Sequence, residues 1–348
     1  MNMNEHNDIS DEISSLGEFG LISHLTGDIV IKNSSTLRGV GDDAAVLDYT
    51  GKKVVVSSDL LAEGVHFNLI YTPLKHLGYK AAVVNFSDIY AMNAQPRQLL
   101  VSVAISRKFT ISMIDSLYSG IRLACDQYGV DLVGGDTTSS FTGLTISCTA
   151  IGEAKEEEIV YRSGAGRHDL ICVSGDLGGA YMGLQLLERE RSLYEKSRDI
   201  QPVLDGYDYV LERQLKPEAR RDILGLFREL DIQPSSMIDI SDGLSSELMH
   251  LCKNSNLGCK IFSDKIPVHA ETQRVAGEFA MDPLIAALNG GEDYELLFTL
   301  PVNLFDKIGN RSEISIIGHM TDVTEGMNMI GPQGQAIALK AQGWNSLR

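Results

Sequence analysis

Short β-branched runs alternate with helix-period runs from about residue 52 to residue 301, which restricts the chain to a mixed α/β fold. "KKVVVSSD" (52–59), "RQLLVSVAIS" (97–106) and "GLTISCTAIGEA" (143–154) read as strands. Between the first two, Thr72 as N-cap and Pro73 at the first helical position open a helix in which Leu77, Ala81, Val84 and Asp88 recur at helical spacing. "ISMIDSLYSGIRLACDQYG" (111–129) is a second helix, closed by Gly129. The texture changes over 153–168, which is charged and then glycine-rich. The charge run reads as a solvated hairpin, and the boundary between two domains, 1–158 and 159–348, falls here. Beyond it come a strand, "LICVSG" (170–175), and a helix, "GGAYMGLQLLERERSL" (178–193). "SMIDISDGLSSELMHL" (236–251) passes from an apolar run into a helix with Leu244, Leu248, Leu251 and Cys252 on one face, expected to stop near Gly258. "NGGEDYELLFTLP" (289–301) is a glycine turn feeding a strand.

Small residues run into acid at several of these junctions: "GVGDD" (Asp42, Asp43), "SSD" (Asp59), "NFSD" (Asp88), "GGD" (Asp136), "DISD" (Asp239, Asp242) and "GGED" (Glu292, Asp293). Any one of them is accounted for as a turn or a helix cap, and Asp242 stands where a cap would. Together they gather carboxylates near the ends of strands and the starts of helices, where open α/β folds build their sites. Carboxylates so gathered repel one another unless a cation sits among them. All-oxygen donors with few histidines point to a hard ion, Mg²⁺ ahead of Ca²⁺ or Zn²⁺. Magnesium favours carboxylate plus substrate phosphate, so a phosphate-bearing ligand is expected beside it.

The chain carries 30 Lys and Arg against 47 Asp and Glu, a formal charge of −17, which argues against a nucleic-acid or anionic-membrane partner. An acidic protein takes an anionic nucleotide only with metal bridging the two sets of charge. Five cysteines, at 125, 148, 172, 252 and 259, form no CxxC pair and read as reduced, buried thiols of a cytoplasmic protein. The polar N-terminal stretch has no apolar segment of signal or membrane-spanning length. No GxxxxGK[ST] P-loop, kinase glycine loop, GxSxG elbow or EF-hand loop occurs. "VSGDLGGAYMG" (173–183) is like a phosphate-binding turn, although it is not GxGxxG and strand-to-helix packing explains its glycines more simply.

In order, "LGEFGLI" (16–22), "GVGDDAAVL", "SSDLLAEGVHF", "AAVVNFSDIYAMNAQP", "LVGGDTTSS", "YRSGAG", "MIDISDGLSSELMHL", "LNGGEDYELLFT" and the terminal "KAQGWNSL" resemble the thiamine-monophosphate kinase family, of the aminoimidazole-ribotide-synthetase-like superfamily. The resemblance implies transfer of the γ-phosphoryl of ATP to thiamine monophosphate. It also implies a two-domain α/β fold, an N-terminal sheet that pairs across a homodimer, and a C-terminal α/β domain. Carried over residue by residue, Asp43, Ser57, Ser58, Asp59, Asp88, Asp136, Asp239 and Asp242 match magnesium ligands. Tyr118, Gly135, Asp136, Arg162 and Ser241 match nucleotide contacts; His66, Glu292 and Trp344 match positions that hold the substrate. Two departures stand out. Asn93 replaces the usual glycine of "AMGA", a change that Asn accommodates because it tolerates left-handed backbone. Gly166, Arg167 and His168 replace the usual Pro-Gly turn after "RSGA". The competing readings are another ATP-dependent enzyme of the same superfamily, and a non-catalytic divalent-cation binder.

Overall fold

The structure is a computed structural model and describes residues 17–40, 45–197 and 201–340. In chain order its helices and strands are α1 (Gly17–Thr26), β1 (Thr36–Arg38), β2 (Val46–Leu47), β3 (Lys53–Ala62), α2 (Leu74–Ala91), β4 (Gln95–Ile105), α3 (Ile111–Tyr128), β5 (Asp131–Ser139) and β6 (Thr145–Ala154). There follow β7 (Leu170–Ser174), α4 (Gly179–Lys196), α5 (Asp208–Leu215), α6 (Arg221–Glu229), β8 (Ser236–Asp239), α7 (Leu244–Ser255) and β9 (Gly258–Phe262). The chain closes with α8 (Ala270–Glu278), α9 (Pro283–Asn289), β10 (Leu296–Leu300), α10 (Phe305–Ile308), β11 (Ile314–Thr321), β12 (Met327–Ile330) and β13 (Ala336–Ala338). The mixed α/β reading holds.

Two compact units divide the chain: residues 1–48, 58–82 and 97–149 form the first, and 49–57, 83–96 and 150–348 the second. A four-stranded sheet runs in the order β3-β6-β4-β5, with β4 and β5 parallel and Val101 opposite Gly135. In the first unit α2 and α3 meet backbone to backbone. A Cβ on Gly78 would lie 1.9 Å from the Leu117 carbonyl oxygen, and one on Gly120 would lie 1.8 Å from that of Lys75. Only glycine at both points permits this approach. Thr110 caps α3 by accepting from the Met113 N–H, and Gly129 ends it at φ 70°.

The second unit carries a seven-stranded sheet, β13-β12-β9-β11-β7-β10-β8, antiparallel except where β12 runs parallel to β9. Strands β7, β8, β9, β10 and β11 pack one apolar face, including Ile171, Ile238, Ile261, Leu297 and Ile317, against Leu244, Leu248 and Leu251 of α7. These three leucines are fully buried, as the helical spacing required. A second cluster joins Met182 and Leu186 of α4 to Val210, Val275 and Ala286. All five cysteines are free and buried.

Two local expectations are corrected. The charge run 155–158 is one turn of 3₁₀-helix, closed by reciprocal bonds between Lys155 and Glu158, and not a hairpin. Its preceding strand, β6, already has β3 and β4 on either side, so no hairpin partner is needed. Helix α7 does stop near Gly258, ending at Ser255 with Asn256, left-handed at φ 53°, in the C-cap position. Its N-cap position is held by Gly243, and no side chain caps it, so Asp242 is not the cap.

Candidate active site

In the second unit, β8 delivers Asp239 to its C-terminal end, where the chain leaves the sheet. Asp239 is only 4% exposed. A buried carboxylate needs donors, and Ser87 of α2 supplies one, its Oγ donating to Asp239 Oδ2 at 2.6 Å. One residue further along α2, Asp88 accepts at 2.5 Å from the Ser57 hydroxyl of β3. Ser57, Asp88, Asp239 and the exposed Arg162 line one cavity of about 390 Å³, with Val56, Met92 and Ile238 among its apolar walls. Asp88, Asp239, Ser57 and Arg162 thus reach one space from four separate segments of the chain.

The stretch after Asp239 continues the strand pairing as a loop. Ile240 N–H donates to Glu295 O at 2.8 Å, Tyr294 N–H to Ile240 O at 2.9 Å, and Glu292 N–H to Ser241 O at 2.7 Å. Ser241 and Asp242 are therefore held against Glu292. Gly291 makes this possible: it sits at φ 72°, and a Cβ there would lie 2.3 Å from Ser241 O. Glu292 and Tyr294 both take left-handed backbone, at φ 59° and 52°, a conformation that costs a non-glycine residue about 1–2 kcal/mol. The partners of Asp293 and Glu295, the residues that follow each of them, hold it in place. The Asp293 carboxylate accepts from the Gly178 and Ala180 N–H groups at the start of α4. Glu295 accepts from Ser174, Arg213 and Arg220. The glycine turn at 173–183 therefore receives an anion from within the chain, the Asp293 carboxylate. Gln214 Nε2 donates to Glu292 Oε2 at 2.9 Å and orients it.

Below the loop, Glu247 of α7 is 2% exposed, and its Oε1 accepts from the Asp242 N–H at 3.1 Å. Burial pushes its carboxyl up to about 8, and the negative charges of Asp242 and Asp239 add to the rise. Burial likewise raises the carboxyl of Asp242.

In the first unit, Ser58 and Asp59 lie on β3 and Gly135 and Asp136 on β5. The Ser58 hydroxyl donates to Cys148 O, and Asp136 Oδ1 accepts from Thr137 N–H. A Cβ on Gly135 would meet Val101 O at 1.7 Å, so close strand approach alone explains that glycine. Tyr118 is 5% exposed in α3, and burial pushes its hydroxyl up to about 12. His66 is exposed after β3, its Nδ1 accepting from Ala62 N–H. Asp43 and Trp344 lie outside the described residues. Asn93 does take left-handed backbone, φ 55°. The 166–168 turn closes through Asp169, which accepts from Gly166 N–H, with His168 at φ 70°.

Sequence reasoning passed over Ser87 and Glu247. Ser87 was within reach, standing beside Asp88 in "NFSD", but its partner is 152 residues away. As for a metal, no three His, Cys, Asp or Glu side chains among the described residues are grouped to hold an ion by themselves. Among the residues lining the cavity, Asp88, Asp239 and Ser57 offer oxygen donors. They fit a hard cation that completes its shell with water and phosphate.

Residues 41–154 match the family model of the AIR synthase related protein N-terminal domain. The thiamine-monophosphate kinase of Aquifex aeolicus is 33% identical over 322 residues, covering 92% of this chain and 98% of that protein. Its counterpart from Bacillus subtilis is 31% identical, covering 96% and 100%. Among solved structures, AaThiL complexed with AMPPCP and TMP superposes with a TM-score of 0.73 at 31% identity, over 95% of this chain and 97% of that one. A hydrogenase maturation protein, HypE, in complex with ATP reaches a TM-score of 0.71 over 92% and 94% of the two chains, but at 19% identity it speaks for the fold alone.

Proposed function

Because the chain belongs to the thiamine-monophosphate kinase family, we propose that it transfers the γ-phosphoryl group of ATP to the phosphate of thiamine monophosphate, giving ADP and thiamine diphosphate. The observation that carries this reading is full-length similarity to a kinase solved with AMPPCP and TMP. The cavity between Ser57, Asp88, Arg162 and Asp239 agrees with it.

The reaction asks for positioning and charge neutralisation. An oxygen of the acceptor phosphate attacks the γ-phosphorus in line, and the bond to the ADP oxygen breaks. That oxygen is already ionised near neutral pH, so no general base is required. The carboxylates and serine hydroxyls named next would hold magnesium, which would supply neutralisation of phosphate charge there. Asp43, Ser57, Ser58, Asp59, Asp88, Asp136, Asp239 and Asp242 are the proposed ligands. Arg162, with Tyr118, Gly135, Asp136 and Ser241, is assigned to the nucleotide, and His66, Glu292 and Trp344 to the thiamine side. A carboxylate such as Glu292 suits a cationic thiazolium ring.

We assign residues 1–158 to nucleotide and metal binding and to dimerisation, and 159–348 to the C-terminal α/β domain. A homodimer is supported by β3, an edge strand whose outward face exposes Val54, Val56 and Leu60, the last two at 60% and 57%. A cytoplasmic location is supported by the free buried thiols. No helix among the described residues is long and apolar enough to cross a membrane. Incubation of purified protein with Mg–ATP and thiamine monophosphate should yield ADP and thiamine diphosphate in equal amounts. AMP, or free phosphate without a diphosphate product, would overturn the assignment.

A further inference from the structure

The peptide group joining Ser241 to Asp242 is held at both poles. Its carbonyl oxygen accepts from Glu292 N–H at 2.7 Å, and its N–H donates to Glu247 Oε1 at 3.1 Å. A peptide group is rigid, so bonds at both ends fix the plane and with it the directions in which the two flanking side chains leave. On the Glu292 side, Gly291 lies so close that a Cβ would come within 3.0 Å of Asp242 C and 2.3 Å of Ser241 O. The loop therefore has little room to turn that way. On the other side the N–H meets the Glu247 carboxylate of α7.

Packing alone does not explain an acid at this position. Glu247 is 2% exposed, and its neighbours one residue on and three residues back, Leu248 and Leu244, belong to the apolar cluster. Its second oxygen, Oε2, has no hydrogen-bond partner. A buried carboxyl with one oxygen unserved is a burden on stability that an apolar side chain of similar size would not impose. What the carboxyl does provide is the acceptor for the Asp242 N–H.

We infer that Glu247 is a positioning residue for phosphoryl transfer, fixing the Ser241–Asp242 peptide plane so that both side chains are aimed before substrates arrive. The inference rests on the assignment of Ser241 to the nucleotide and Asp242 to metal. The same peptide group ties those two residues to Glu292, assigned to the thiamine side, so one hydrogen-bonded unit links the donor and acceptor halves of the site.

Three variants separate the hydrogen bond from the charge. Glu247→Gln keeps an oxygen in place and removes the ability to ionise; Glu247→Leu and Glu247→Met remove the acceptor at similar size. The first readout needs neither metal nor substrate: backbone amide exchange at Asp242, followed by NMR in EDTA. Exchange should be near wild type in Glu247→Gln and at least about tenfold faster in Leu and Met, the loss of one hydrogen bond. Melting temperature should stay level or rise in the apolar variants. The second readout is Mg–ATP affinity and kcat/KM, which should fall by about tenfold or more in Leu and Met and recover in Gln. Unchanged exchange at Asp242 in both apolar variants would overturn the inference. So would a Gln variant as impaired as the apolar ones, because charge, and not the hydrogen bond, would then be what matters. A wild type that makes no thiamine diphosphate would defeat the proposed activity, while the exchange experiment would still decide whether Glu247 holds the loop.

Discussion

Ser87 Oγ donates a 2.6 Å hydrogen bond to Oδ2 of Asp239, joining α2 to the end of β8 across 152 residues of sequence. The neighbouring Asp88 lines the cavity that Asp239 also lines. Two successive residues of one helix turn thus serve the same site differently: Ser87 fixes a carboxylate and Asp88 contributes one.

Ser87→Ala should therefore weaken the site without dismantling it. Removing a donor from a buried carboxylate costs about 1–3 kcal/mol, seen as a melting temperature lower by a few degrees. If Asp239 is also re-aimed, KM for Mg–ATP should rise. Calorimetric melting and initial-rate kinetics check both, and a variant unchanged in each would show that the bond contributes nothing.

The carboxylates are expected to repel free ATP and to accept it with Mg²⁺. Titration calorimetry should find ATP binding with Mg²⁺ and little with EDTA. Asp239→Asn keeps size and removes charge, so Mg–ATP affinity and turnover should both drop sharply while circular dichroism stays native. Equal affinity with and without metal would mean that these acids serve only the fold.

Gly291→Ala should damage the loop far more than Gly206→Ala. Both glycines have positive φ, 72° and 81°, but a Cβ at 206 meets nothing within 4 Å, whereas at 291 it strikes Ser241 O. The backbone cost is shared, about 1–2 kcal/mol; the clash is not. kcat/KM should collapse only in Gly291→Ala, and equal loss in both variants would refute the close approach.

Asp222 offers a pH test remote from the proposed ligands. Partial desolvation alone would push its carboxyl up, but the hydrogen bonds and charge of Arg220 outweigh it and hold the group below its usual 3.8. A depressed acid contributes stability above its unfolded pKa and loses it as pH falls through the folded value. The stability gap between wild type and Asp222→Asn should be level above about pH 4 and close below it. The Asp222 side chain is 59% exposed, so the gap should be small, about 0–1 kcal/mol, and shrink further in salt. Urea melts across that range would measure it.

Local features were legible in the sequence because their causes are local. Thr110 and Gly129 bracket α3 as their residue types predict, and the leucine face of α7 follows from spacing alone. Asn93 adopts the left-handed backbone its chemistry allows. The start of α7 was misread because an aspartate and a glycine both suit the approach to a helix. Only the backbone angle of Gly243, 117°, decides which residue holds the cap position. The bond from Ser87 to Asp239 and the seating of Asp293 at the start of α4 join segments more than a hundred residues apart, and no periodicity encodes them. Glu247 reads as an ordinary helical acid until the leucines around it are seen to be buried.

The five thiols make the chain a reporter of its own opening. Burial pushes Cys125 up to about 12 and raises Cys148 and Cys172 as well, so these three are un-ionised as well as shielded and resist alkylation while the fold is closed. Cys125 and Cys148 belong to the first unit, and Cys172, Cys252 and Cys259 to the second. Pulsed alkylation read by peptide mass would date the exposure of each unit separately. If nucleotide braces only part of the molecule, labelling at one group of cysteines should slow while the other keeps its pace.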